Sequence, residues 1–182
     1  MDNPIAAWQQ EHEYFNRLLA VLREQLDAFH SGEEPDYALM LDIICYLRDV
    51  GDASHHPRED EAFRRLAQRR PDRELPLARL KQEHVVIAHA GEELRVSLEQ
   101  AVNGEVTPRA RIEVAAATYL VYYGNHIAVE EQDVLPLAAS ELTPADWAAV
   151  RSAAAPRHES HLANPGGERF AALRRRMAGS GA

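Results

Sequence analysis

Histidines interrupt the apolar stripes of this sequence at four points: His12, His55, His84 and His126. Two of them are followed four residues later by a carboxylate, His55 by Glu59 and His126 by Glu130. Residues i and i+4 share a helix face, about 6 Å of rise and roughly 40° of rotation apart, so both side chains of such a pair reach one point. On a surface the pairing would be only slightly stabilising. Here both pairs stand on the apolar stripe. An ionised carboxylate in an apolar core is costly unless positive charge compensates it. Neutral imidazoles cannot supply that charge, whereas a dication or a pair of metal ions can. Four imidazoles and two carboxylates form the borderline-to-hard donor set that suits iron or manganese. Two carboxylates can bridge two ions, with two imidazoles capping each.

Helices must carry these residues, because apolar positions recur at steps of three and four nearly everywhere. The first helix is expected from about Pro4 to His30, opened by Asn3-Pro4 and closed by Ser31-Gly32. The second runs from near Pro35 towards Gln68, with Pro57 predicting a kink or bulge beside His55 and Glu59. The third covers about Asp72 to Val102 and stops at Asn103-Gly104. The fourth starts at Thr107-Pro108 and carries His126, Glu130, Val134 and Leu137. Short connections between four long helices predict an all-α protein, an up-down-up-down four-helix bundle over residues 1–140. Residues 141–182 read as a C-terminal helical extension, packed on the bundle or trailing it. It comprises a short helix from Thr143-Pro144, a linker at Asn164-Pro165-Gly166-Gly167 and a basic final helix.

Several neighbours compete for the same roles. His56 competes with His55, and Glu61 with Glu59. The spacing of His56 to Glu61 is i, i+5, which reaches one point less well, so His55 and Glu59 are preferred. Asp60, Glu61 and Glu131 are expected around the ligands or in solvent. His89 would join only if the third helix bulged near Gly91. His30, His158 and His161 read as surface residues, with His158-x-x-His161 an adventitious zinc pair at most. Tyr119, Tyr122 and Tyr123 read as core packing, or as hydrogen-bond donors to a bridging oxygen or bound ligand.

The segment His55-His56-Pro57-Arg58-Glu59-Asp60-Glu61-Ala62-Phe63 resembles the HHPxEDxxF signature of the hemerythrin-like family, or HHE cation-binding domain. His126-Ile127-Ala128-Val129-Glu130-Glu131-Gln132-Asp133-Val134-Leu135-Pro136 resembles that family's HxxxEExxxLP signature. His12 and His84 stand at the family's ligand positions on helices one and three, and the resemblance covers about residues 4–139. It implies two iron ions held by His12, His55, His84 and His126, with Glu59 and Glu130 bridging and an oxo or hydroxo bridge between them. Manganese or zinc could replace the iron. Oxygen-carrying members have a further histidine one turn after the helix-three ligand, where this chain has Ala88. The resemblance therefore implies two imidazoles per ion, both ions able to accept oxygen, nitric oxide or peroxide, and redox chemistry or sensing ahead of reversible oxygen carriage. Related iron–sulfur-cluster repair proteins carry an N-terminal segment with paired cysteines, which is not seen here.

Composition narrows the rest. The chain has 182 residues, 46% of them hydrophobic and 27% charged, which suits one globular unit with a sizeable core. A net charge of -9 disfavours nucleic acid and anionic membrane as partners. Arg174, Arg175 and Arg176 are a short basic run of the kind that solvates a helix end. Cys45 is the single cysteine, so no intrachain disulfide or thiolate metal cluster can form. No signal segment or membrane span is expected, and the protein reads as cytoplasmic. No general acid–base residue or substrate pocket can be assigned, so the sequence does not read as that of an ordinary enzyme. The alternative reading is a helical interaction module with a structural metal, its acidic surface and C-terminal helices serving a partner or a homodimer.

Overall fold

Each long segment has one apolar face, and burying those faces against one another builds the fold. The computed structural model describes residues 4–153 and 167–179. Helix α1 spans Pro4–His30. Helix α2, Tyr37–Leu47, continues through a π-helical stretch, Arg48–His55, into α3, His56–Arg69. A 3-10 turn, Pro71–Arg73, leads into α4, Glu74–Val102. Helix α5, Arg109–Val129, runs through a second π-helical stretch, Glu130–Val134, into α6, Leu135–Glu141. Helices α7, Pro144–Ala153, and α8, Gly167–Gly179, follow. No strand occurs among the described residues. Asn3, His158, His161 and the expected linker at Asn164-Pro165-Gly166 lie outside them.

Local signals account for several boundaries. Asp36 accepts the Leu39 N–H at 2.9 Å and caps α2. Gly32 and Gly104 take positive φ angles of 82° and 76° just past α1 and α4, a conformation that glycine adopts without a Cβ penalty. The bulge expected at Pro57 falls on the turns before it. There the ladder shifts to i, i−5, with the His56 N–H on the Gly51 carbonyl. The second π-helical stretch was not anticipated. It precedes Pro136 as the first precedes Pro57, and ends with the Leu135 N–H on the Glu130 carbonyl. A proline lacks the N–H of the regular ladder and crowds the preceding turn, so that turn is the cheapest place to insert a residue.

Helix α1 packs on α2 and α5, α4 packs on α2, α3 and α5, and the four long segments thereby close a ring. The core inside it is divided in two. Phe15, Val50, Ile87 and Ile127 belong to one apolar cluster, and Trp8, Phe63, Leu80 and Val134 to another. Every long segment thus contributes to both clusters, and between those contributions it places its polar residues. The C-terminal helices complete opposite clusters. Trp147 and Val150 of α7 join the cluster of Trp8, while Phe170, Leu173 and Met177 of α8 join that of Phe15. Asp146 ties α7 to α3 by accepting from Arg65 at 2.7 Å and Arg69 at 2.6 Å.

Two α-helical glycines test how tightly the ring closes. A Cβ on Gly91 would lie 2.9 Å from the buried Tyr119 ring, whereas one on Gly124 would meet nothing within 4 Å. Overpacking costs about 1–3 kcal/mol, against roughly 0.5–1 kcal/mol gained by removing a helical glycine. Gly91→Ala should therefore lower the urea unfolding free energy by about 1 kcal/mol, and Gly124→Ala should raise it by roughly 0.5–1 kcal/mol. Equal effects at the two positions would contradict this packing.

Candidate metal centre

Seven polar side chains fill the layer between the two apolar clusters: His12, His55, His56, Glu59, His84, His126 and Glu130, none more than 6% exposed. All six residues singled out by spacing are among them. Their ring nitrogens gather in two sets. His12 Nε2 faces His55 Nε2 at 2.9 Å, and His84 Nε2 faces His126 Nε2 at 2.8 Å. Each glutamate spans both sets with separate oxygens. Glu59 Oε1 lies 2.6 Å from His55 Nε2 and 3.3 Å from His12 Nε2, and its Oε2 lies 3.4 Å from His84 Nε2. Glu130 Oε2 lies 3.5 Å from His12 Nε2, and its Oε1 lies 3.2 Å from His126 Nε2.

His56 adds a fifth imidazole. Its ring stacks on His84 at 4.2 Å and 9°, with Phe63 stacked on His84 at 5.8 Å. Two groupings could each hold an ion: His12, His55 and Glu59, and His56, Glu59, His84 and His126. The first grouping has two imidazoles and the second three, where two on each side were expected. Glu59 stands four residues after His55 and three after His56, and both spacings fall on one helix face. Pairing His56 only with Glu61, at i, i+5, misses this spacing. His89 is exposed and Glu61 is bound to Arg64 and Arg65, so neither enters the layer. His30 is also exposed, beside Glu113 at 3.4 Å. Tyr119 and Tyr123 are buried, and Tyr122 is exposed.

Every one of the five imidazoles meets a second carboxylate on its outer nitrogen. Glu131 lies 2.7 Å from His12 Nδ1, Glu11 2.5 Å from His55 Nδ1, and Asp60 3.0 Å from His84 Nδ1. Glu83 lies 3.3 Å from His126 Nδ1, and Asp52 contacts His56 Nδ1 at 3.4 Å. An ionised carboxylate can only accept, so at His12, His55, His84 and His126 the Nδ1 carries the proton and the Nε2 turns a lone pair inward. That is the tautomer a metal ligand needs. The outer carboxylates have partners in turn. Arg58 Nη2 reaches Glu11 at 2.6 Å, Arg79 Nε reaches Glu83 at 3.0 Å, Lys81 Nζ reaches Asp60 at 3.7 Å, and Gln9 Nε2 reaches Glu131 at 3.2 Å.

The layer requires cations. Two inward lone pairs 2.9 Å apart repel unless a proton or a metal ion lies between them. Without metal, protons fill that role. Burial opposes an imidazolium at His55, but the Glu59 charge and the Glu11 and Glu59 hydrogen bonds outweigh it, raising the pKa to about 10. Burial also opposes one at His84, where bonds to Asp60 and Glu59 prevail and raise it to about 9. His12 is raised as well, its bond to Glu59 outweighing burial. His56 is pulled down to about 4, chiefly by burial. Burial works against ionised Glu59, yet the charge of His55 and bonds from His12, His55 and His84 hold it well below the usual carboxylate range. Four atoms of the layer still lack a hydrogen bond of good geometry: Glu59 Oε2, both Glu130 oxygens and His56 Nε2. These are donor atoms of the type that hold iron, manganese or zinc, so the residues present fit a bound metal.

Aromatic rings enclose this layer. Phe15 packs edge-on to His55 at 5.1 Å, Trp8 tilts against it at 6.0 Å, and Tyr123 meets His56 edge-on at 5.5 Å. No described helix is long and apolar enough to cross a membrane. Comparisons with curated proteins and with solved structures give no match. A family model does match: the hemerythrin HHE cation binding domain aligns with residues 3–138, which include the five histidines and both glutamates of the buried layer. The chain thus belongs to the hemerythrin HHE cation-binding domain family.

Proposed function

We propose that the protein holds a non-haem pair of iron ions and uses it to bind oxygen, nitric oxide or peroxide, in sensing, transport, detoxification or iron handling. His12 and His55 serve one ion, His56, His84 and His126 the other, and Glu59 and Glu130 bridge them. The observation that carries this reading is the placement of the two glutamates. Each is buried and directs one oxygen towards each nitrogen set. The Nδ1–carboxylate hydrogen bonds of His12, His55, His84 and His126 support it, because they turn the four Nε2 atoms inward. The alternation of the apolar clusters along successive segments supports an up-down-up-down bundle. α1 and α4 meet the Trp8 cluster before their histidine, whereas the second and fourth segments meet the Phe15 cluster first.

Bound iron would supply exchangeable coordination positions and two oxidation states to a small ligand. The chain's own residues set the surroundings. Phe15 and Trp8 keep bulk water from the His12–His55 side, the side with fewer nitrogen donors and so with more room for an exogenous ligand. The outer carboxylates fix ring orientation and strengthen each imidazole as a donor.

Anaerobic loading with ferrous iron, read by metal analysis and visible absorption before and after air, is the direct test. The expected result is about two irons per chain, with charge-transfer bands appearing in air. Glu130→Ala should lose the pair and the bands. His56→Ala should lose one ion while His89→Ala keeps both. Full iron content and an unchanged spectrum in Glu130→Ala would falsify the bridging role. Asp60→Asn should weaken metal affinity about 10- to 100-fold, measured by chelator competition. An unchanged affinity would remove Asp60 from the site. Because two apolar clusters remain when metal is absent, chelated protein should keep its helical circular dichroism. Loss of the helical signal on chelation would instead favour a structural metal.

A further inference from the structure

A second set of buried polar groups lies between the first π-helical stretch, α4 and α5. Tyr119 Oη, Tyr123 Oη, Arg48 Nε and both Asp52 oxygens are buried atoms without a protein hydrogen-bond partner. The two tyrosines are 0% and 1% exposed. These groups are contiguous. Arg48 Nε lies 3.6 Å from Asp52 Oδ2, and the Tyr119 and Tyr123 rings are 5.4 Å apart. Two glycines make the room. A Cβ on Gly51 would fall 2.5 Å from Tyr123 Oη, and one on Gly91 would lie 2.9 Å from the Tyr119 ring and 3.6 Å from Arg48 Cδ.

The set has an outer and an inner end. Outside, Arg48 and Asp52 line a surface cavity of about 540 Å³ together with Asp49 and Arg95. Inside, Asp52 contacts His56 Nδ1 at 3.4 Å and Tyr123 lies edge-on to the same imidazole at 5.5 Å. Packing alone does not explain the arrangement. A buried hydroxyl left unpaired is destabilising, and phenylalanine would fill either tyrosine position without that penalty. Burial holds both phenols well above their ordinary pKa, so they keep their protons and can donate.

We propose that these groups form a polar chamber that binds small hydrogen-bonding molecules, water foremost, and that it is the route by which such molecules pass between solvent and the metal centre. Two hydroxyls and the guanidinium Nε–H donate, and the Asp52 carboxylate accepts. An apolar occupant would leave both hydroxyls, the Arg48 Nε–H and the Asp52 oxygens without a hydrogen bond. The role as a route rests on the di-metal reading, whereas the occupancy of the chamber does not.

The experiment therefore has two arms. In the metal-free full-length protein, a high-resolution crystal structure should show ordered solvent bonded to Tyr119, Tyr123 and Asp52. Tyr119→Phe should then lower the urea midpoint, because it removes a satisfied hydroxyl. A dry chamber with a raised midpoint in Tyr119→Phe would overturn the proposal whatever the metal does. In ferric-loaded protein, azide is the probe. Asp49→Trp should cover the mouth of the cavity and slow azide association and dissociation by the same factor, roughly tenfold, at unchanged iron content and Kd. Unchanged rates in a protein with full iron would overturn the route. A protein that takes up no iron would overturn the di-metal reading and leave the first arm to decide the chamber.

Discussion

Two carboxylates held away from water between two apolar clusters are the constraint on which the rest of this structure depends. Glu59 and Glu130 are each 1% exposed. Such charges are tolerated only when cations stand beside them. The chain brings four segments to one level for this purpose, each giving at least one imidazole. Trp8, Phe15, Phe63 and Ile127 then seal the layer from both sides. The cost of the charged layer is offset by the packing above and below it, and the two C-terminal helices enlarge that packing at opposite ends.

Around the buried glutamates lies a second ring of carboxylates, one on each imidazole. The result is a graded arrangement: inner carboxylates, imidazoles, outer carboxylates, then Arg48, Arg58, Arg79 and Lys81 towards solvent. Charge alternates in sign from the centre outwards. Opposite charges at successive distances keep the local field strong while limiting its reach, so ligand geometry is controlled by electrostatics as well as by packing. Four outer carboxylates, Glu11, Asp60, Glu83 and Glu131, are half-buried side chains immediately before or after a histidine or glutamate of the inner layer in the sequence. The ring thus follows from short local spacing once the inner residues are fixed.

Much of this was legible in the sequence, for identifiable reasons. The long helices follow from three- and four-residue periodicity, and the stops at Gly32 and Gly104 from glycine's access to positive φ. His55 with Glu59 and His126 with Glu130 were readable because one spacing, i to i+4, puts both members on an apolar stripe. His56 was not preferred, because it was paired with Glu61 at i, i+5, a spacing that reaches one point less well on a regular helix. The π-helical stretch ahead of Pro57 and the three-residue step from His56 to Glu59 remove that restriction. The second π-helical stretch stayed hidden because Pro136 looks like an ordinary late proline. Asp60 and Glu131 were expected around the ligands or in solvent, but Glu11, Asp52 and Glu83 stayed hidden because a half-exposed Asp or Glu beside a stripe has the same pattern as a solvated helix face. Their role depends on which neighbouring segment supplies the imidazole.

The edge-to-face contact of Trp8 with Trp147, at 5.5 Å, has an optical consequence. The chain has two tryptophans, and both occur in this one contact, with Trp8 tilted against His55. All indole emission therefore originates beside the polar layer and beneath α7. The protein carries its own fluorophore at the place where a paramagnetic ion would quench it and where undocking of α7 would expose it to water. Its intrinsic fluorescence reads a single location, with no label needed.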